Sequence, residues 1–212
     1  MLIPPATEIG SATHPELEGC DVPAALAGAV RRRQLDYLAG RRAARRALIR
    51  LTGHASEVGR GADGAPVWPP GVTGAISHSD GRAVALIGDA TRHAGLGIDL
   101  ETIITRPGEI ASSVLTASEI RRLPADALHL TIAFSAKESL FKALYPQVGR
   151  FFGFDAAEVI LTERATGALR LCQPLGPWPA GAEFAFGWRV LNGQVLTVLA
   201  APYARNVAPP ST

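Results

Sequence analysis

Lysine is almost missing from this chain. Of the 21 basic residues among 212, 19 are arginine, and the two lysines, Lys137 and Lys142, share the segment FSAKESLFKALYP at 134–146. Cysteine is equally scarce. Cys20 and Cys172 form no CxxC pair and have no histidine close in sequence, which excludes a disulfide framework and a zinc site and leaves two buried, inert thiols as the expectation. Aromatic residues make up 6% and do not interleave with basic ones, which argues against a surface that stacks bases. Apolar runs such as AVALIG at 83–88 are far shorter than the ~20 residues of a membrane span. The start, MLIPPATEIG, has neither the basic end nor the apolar stretch of a signal peptide. A cytoplasmic protein without a membrane partner is therefore expected.

What is present is a chain 47% hydrophobic, long enough to bury a full core as one large domain or two small ones. Its net charge of +2 is unevenly placed, with eight arginines between Arg31 and Arg50. Such a face points to an anionic partner, whether nucleic acid, phosphorylated cofactor or acidic protein. Residues 1–22 mix Pro, Gly, Thr and Ser and read as an extended lead-in. A helix is predicted over 23–52, weakened at Gly40 and ended at Gly53, and then a Gly/Pro loop over 59–74. GAISHS, RAVALIGD and AGLGIDLE read as strands. After residue 101 the order recurs: a polar connection, helices near 116–123 and 126–146, then strands near 157–162, 167–172 and 183–200. The fold class is α+β, with two pseudo-symmetric lobes (1–100 and 101–212), each a helix packed on a small antiparallel sheet. The tail NVAPPST reads as disordered.

In GIDLE, strand alternation sends Asp99 and Glu101 to one face and Ile98 and Leu100 to the other. Two adjacent carboxylates suit either a solvated strand end or a hard cation such as magnesium. Glu138 and Lys142, four apart, share a helix face. Ser135-x-x-Glu138 also matches a capping box, and Glu138 with Lys142 an ordinary ion pair. A lysine kept in an arginine-rich chain suits a point contact to phosphate beside a metal. Arg41 falls on the helical stripe of Tyr37, Ala44, Leu48 and Leu51 and there needs an anion, while Arg42, Arg45, Arg46 and Arg50 read as a solvent- or partner-facing fan. Ser77 and His78 end a strand but point to opposite faces, so they are not a nucleophile and its base. His14, His54, His93 and His129 receive no role.

GIDLE and FSAKESLFK together resemble the paired signature of phosphopantetheinyl transferases. The likeness is to the larger single-chain type that serves siderophore, nonribosomal-peptide and polyketide synthases, as in enterobactin synthase. RRRQLDYLAGRRAARRAL, DGAPVWPPGVTGAISHS and FFGFDAAEV resemble further stretches of that family in the same order. The resemblance implies transfer of 4′-phosphopantetheine from coenzyme A to a carrier-protein serine, with release of adenosine 3′,5′-bisphosphate. It implies magnesium on Asp99, Glu101 and Glu138, and coenzyme A contacts from Arg33, Arg41, Ser77, His78 and Lys142, with Asp63, Gly64, Ala65 and Pro66 against the adenine nucleotide. Lys142 and His78 would offset charge on the leaving phosphate. Glu138 would take the serine proton, with Glu119 a second candidate that also reads as a capping box with Thr116. A monomer with coenzyme A between the lobes is implied. The chain departs from the family pattern at Ala65, where relatives often carry a polar side chain, and at Ala75, where they carry serine. Lys137 is left to face nucleotide, carrier or solvent. Two rivals remain: a polyanion-binding module built on the arginine helix, and a magnesium phosphodiesterase.

Overall fold

The computed structural model describes residues 3–17, 19–162 and 165–204. Strand β1, Thr7–Thr13, precedes helix α1, Arg31–Thr52. Short strands β2 (Gly59–Arg60) and β3 (Pro66–Val67) pair with each other across the Gly/Pro loop. Strands β4 (Val72–Ser79), β5 (Arg82–Asp89) and β6 (Gly95–Thr102) follow. Then come helices α2 (Pro107–Val114), α3 (Ala117–Arg122) and α4 (Ala127–Val148). Strands β7 (Ala157–Leu161), β8 (Thr166–Leu171), β9 (Glu183–Leu191) and β10 (Gln194–Ala201) close the chain.

Two antiparallel sheets result, ordered β1-β5-β4 and β6-β10-β9-β8-β7. In each, a strand leads into a long helix, and the last strand returns to pair with the first, so the pseudo-symmetric reading holds. Ala39, Ala43, Ala44, Ala47 and Leu48 of α1 pack on Ala83, Ala85 and Ile87 of β5. The second lobe buries Ile132, Ala136, Leu140 and Leu144 of α4 against Val159, Leu169, Phe186 and Leu199. A third cluster, including Leu86, Leu96, Ile98, Leu100 and Val198, lies between the sheets, and the burial of apolar surface there joins the lobes.

Small residues set how deeply each helix sits. A Cβ on Gly97 would lie 1.9 Å from the Ser139 carbonyl oxygen, and one on Gly10 equally close to that of Ala43. Both helices therefore press backbone to backbone on a glycine of their first strand. Gly40 does not interrupt α1: it is buried, and a Cβ there would meet Ile76 Cγ2 at 2.9 Å.

Several expectations change. The lead-in contains a true strand, β1, whose inward residues Gly10 and Ala12 are too small to register as a hydrophobic alternation. Helix α1 begins at Arg31, because Pro23 opens only a 3-10 turn at Ala24–Leu26. The expected polar connection after residue 101 holds α2, started by Pro107. Strand β6, expected to close the first lobe, hydrogen-bonds β10 and belongs to the second sheet, so sheet membership changes between β5 and β6 rather than at residue 100. Cys20 is half-buried and Cys172 exposed, both as free thiols. The tail NVAPPST, expected to be disordered, lies outside the described residues.

The arginine fan also has structural work. Arg42 donates to the Glu16 carbonyl at 2.6 Å, Arg46 to the Ser11 carbonyl at 2.6 Å and to Glu16 Oε2 at 2.5 Å. Arg50 donates to the Ile9 carbonyl and to Glu8 Oε2. Spaced four apart, these three share one side of α1 and fasten β1 and the turn after it.

Candidate active site

The site forms where β4, β6 and α4 meet. Lys142, on α4, donates through Nζ to Asp99 Oδ1 at 2.7 Å, to Ser77 Oγ at 3.0 Å and to the Ile98 carbonyl at 3.1 Å. Ser77 donates in turn to Asp99 Oδ1 at 2.8 Å. One lysine thus joins a first-lobe strand to a second-lobe strand, and its partner is Asp99 rather than its helix neighbour Glu138. Ser135 does not cap a helix: α4 starts at Asp126, whose Oδ1 accepts from the His129 amide, and the Ser135 hydroxyl meets Thr197 Oγ1 at 2.9 Å.

Asp99 is only 4% exposed, so the solvated strand end is excluded. Its second oxygen, Oδ2, is buried without a hydrogen-bond partner. Glu101 follows on the same face and accepts from Ser79 Oγ at 3.3 Å. Burial, and then the Asp99 charge, push the Glu101 carboxyl above its usual range. Burial likewise raises Glu138, against the pull of Lys142 and with a further push from Asp99. Among the described residues, no three His, Cys, Asp or Glu side chains are gathered closely enough to hold a metal ion. The donor set nevertheless fits a hard divalent cation, because it is all oxygen, carries surplus negative charge and includes the unpartnered Asp99 Oδ2.

His78 turns the other way, toward α1, with Nδ1 3.8 Å from Asp36 Oδ2. Burial lowers the ring's proton affinity, opposed by Asp36 and reinforced by Arg33 and Lys142. Arg33 is exposed. Arg41 is not on the inward stripe of α1, which runs through Asp36, Ala39, Gly40, Ala43, Ala44, Ala47 and Leu48. It flanks that stripe, its guanidinium 4.6 Å over the Tyr37 ring and its Nη2 donating to the Gly59 carbonyl at 2.8 Å. Arg41 Nε is buried without a partner, and the residue lines a cavity of about 680 Å³ together with Arg45 and Tyr37.

A second cavity, of about 610 Å³, separates Asp63, Ala65 and Pro66 of the first lobe from Phe141, Lys142 and Tyr145 of α4. Asp63 Oδ1 accepts from the Ala65 amide at 3.0 Å, and Asp63 Oδ2 accepts from the Tyr145 hydroxyl at 3.0 Å, which fastens the loop across the cleft. Gly64 makes the turn at φ +86°, a conformation that favours glycine. Phe141 extends the wall through tilted ring contacts, with centroids 5.1 Å from Phe152 and 5.6 Å from Phe151.

The second candidate base is removed. Glu119 is fully buried; its Oε2 accepts from the Thr116 amide at 2.7 Å and from Lys137 Nζ at 2.7 Å, and its Oε1 accepts from the Val159 amide at 2.6 Å. The capping box with Thr116 is present. Lys137 also donates to the carbonyls of Val114 and Phe154, so it faces neither nucleotide, carrier nor solvent but ties α2, α3 and α4 to the segment before β7. Sequence reasoning missed Tyr145, Asp36 and His14. Asp36 lies four before Gly40 and seven before Ala43, a spacing that would have placed it on the buried face.

Comparison with known proteins finds matches across both lobes. Residues 22–88 match the 4′-phosphopantetheinyl transferase N-terminal domain, and residues 95–197 match the 4′-phosphopantetheinyl transferase superfamily. Among relatives, enterobactin synthase component D of Salmonella typhi is 34% identical over 182 residues, covering 83% of this chain and 75% of that protein. The 4′-phosphopantetheinyl transferase Svp of Streptomyces mobaraensis is 36% identical over 185 residues, 82% of this chain and 75% of that one. The 4′-phosphopantetheinyl transferase Npt of Nocardia iowensis is 36% identical over 137 residues, a match that spans 63% of this chain and 62% of Npt. Two family domains meeting at the junction of Ser77, Asp99 and Lys142 account for both lobes, and the chain belongs to the 4′-phosphopantetheinyl transferase superfamily.

Proposed function

We propose that this enzyme transfers 4′-phosphopantetheine from coenzyme A to a serine hydroxyl of an apo acyl- or peptidyl-carrier domain, with magnesium, and releases adenosine 3′,5′-bisphosphate. The observation that carries the reading is the Ser77–Asp99–Lys142 junction, whose Lys142 lines the 610 Å³ cleft, with Asp99 Oδ2 buried and unpartnered. Asp99, Glu101 and Glu138 would hold the magnesium, which when bound neutralises the pyrophosphate.

The chain's own residues then have distinct tasks. Lys142 contacts the pyrophosphate and, with His78, offsets the charge that grows on the leaving phosphate, while Arg33 holds the nucleotide phosphates. Ser77 keeps Lys142 and Asp99 in register. Glu138 accepts the proton of the attacking hydroxyl, directly or through one water, as the serine oxygen bonds to phosphorus and the pyrophosphate P–O bond breaks. The nucleophile comes from the partner, which fits a site whose Ser77 bonds Asp99 and Lys142 while His78 turns toward Asp36. Asp63, Gly64, Ala65 and Pro66 bound the nucleotide side, with Arg41 toward its phosphates. The described residues contain no helix long and apolar enough to cross a membrane. A cytoplasmic monomer acting on a soluble carrier, without nucleic acid, completes the proposal.

The test is to incubate the protein with coenzyme A, magnesium and several apo carriers and to weigh the carriers intact. A mass gain of one phosphopantetheine, abolished by chelator, is expected. Coenzyme A cleavage at the same rate without carrier would instead favour the phosphodiesterase.

A further inference from the structure

Behind His78 lies a second histidine that the proposed reaction does not use. His14 Nε2 stands 2.8 Å from Asp36 Oδ1, and the other oxygen of the same carboxylate, Oδ2, is 3.8 Å from His78 Nδ1. Asp36 is 8% exposed, so one buried carboxylate is shared by two imidazoles. Three separate elements build this row: the 3-10 turn His14–Leu17 that follows β1, helix α1 and the end of β4. His14 is itself fixed, because its backbone amide donates to the Gly81 carbonyl at 2.8 Å. A Cβ on Gly81 would lie 3.5 Å from the His14 ring nitrogen Nδ1, so the turn between β4 and β5 packs against that ring.

We infer that Asp36, held by His14, is a positioning residue: it draws the Nδ1 edge of His78 toward α1 and leaves Nε2 as the nitrogen offered to a phosphate. This rests on the reading of His78 as a phosphate contact. A buried carboxylate on one ring nitrogen fixes both the tautomer and the orientation of an imidazole. The charges around His78 make that support necessary. Arg33 on α1, Lys142 on α4 and His14 in the turn after β1 all oppose its protonation, and Asp36 favours it. Without Asp36 the ring would have no fixed partner to set its plane. With Asp36, an incoming phosphate finds a ring already oriented and able to take up a proton, and the 3.8 Å gap leaves room for the ring to close on Oδ2 as it does so.

The experiment compares wild type, D36N, H14Q, H78Q and the D36N/H78Q double variant. Thermal melts first select the variants that fold. Turnover is then measured against coenzyme A concentration, and histidine ring ¹³C/¹⁵N spectra are titrated with pH; five histidines make the spectrum assignable. D36N should lower kcat/KM by roughly ten-fold, the size of effect seen when an imidazole's outer partner is lost at metal sites. It should also lower the His78 ring pKa by roughly one unit and shift its tautomer balance. H14Q should lower kcat/KM and shift the His78 tautomer balance to a smaller degree, and D36N should cost nothing further in the H78Q background. The inference is overturned if the His78 ring is unmoved in D36N and H14Q, or if D36N costs as much with H78Q as without it. The spectra read the support without reference to turnover. Should H78Q be as active as wild type, the phosphate-contact reading falls, and a His78 ring that still moves in D36N upholds the positioning by Asp36.

Discussion

Replacing Lys137 with methionine tests whether the buried Lys137–Glu119 pair holds the second lobe together. Lys137 is 3% exposed and Glu119 is 0% exposed, with Nζ 2.7 Å from Oε2. Methionine keeps the length of the chain but leaves the Glu119 carboxylate facing no cation, although the amides of Thr116 and Val159 still donate to it. The carbonyls of Val114 and Phe154 also lose a donor. Breaking a buried pair from one side costs about 3–5 kcal/mol. For a chain of this size that is a fall of about 6–20 °C in melting temperature. Urea titration and calorimetry of Lys137→Met measure the loss. The control is Lys137→Met with Glu119→Gln, whose neutral amide no longer leaves a charge buried and should recover at least half of the deficit. A Lys137→Met protein within about 1 kcal/mol of wild type would refute the reasoning. So would a double variant whose loss is the simple sum of the two singles, since the argument requires the two groups to be coupled.

Three further outcomes follow from single contacts. Gly97→Ala places a Cβ 1.9 Å from the Ser139 carbonyl oxygen and must push α4 outward, costing about 1–3 kcal/mol and separating Lys142 from Asp99; a variant with an unchanged urea midpoint and full turnover would contradict this. Arg46→Ala removes the bonds to Ser11 and Glu16 and should cost about 1 kcal/mol, with faster amide exchange confined to β1 and the turn after it; uniform exchange across the first lobe would argue against the fastening role. His78 has a folded pKa below its ordinary 6.5, with burial the main cause, so the unfolded chain binds the proton more tightly and stability is lost as pH falls from 6.5 through the folded value. Urea midpoints at pH 7.5 and 5.5 should therefore fall further for wild type than for His78→Gln, and parallel changes would show that His78 is not responsible.

How much of this was legible in the sequence depends on the residue. Alternation in GIDLE correctly set Asp99 and Glu101 on one face, because strand period is a property of the backbone. Gly53 and Gly149 end α1 and α4 in the left-handed conformation, and the first of these stops was readable from sequence. Strand β1 was not, since a strand lined with Gly10 and Ala12 has no hydrophobic signature and is specified by the helix pressed on it. Nor was the fate of Lys137. Lys137 and Lys142 lie five residues apart on one helix, yet one is enclosed by α2, α3 and the approach to β7 while the other reaches β4 and β6.

Sequence by itself therefore determined most of the element types, the two-lobed α+β class and the identity of the charged groups, because periodicity and turn residues are local, and its motifs carried the resemblance to the family. Tertiary structure decided the partners. It gave Lys142 to Asp99 rather than Glu138, took Glu119 out of the chemistry, turned three arginines into fasteners and set Asp36 between two histidines. Each of these depends on which groups long-range packing brings within hydrogen-bond or ion-pair reach, and no local pattern encodes that distance.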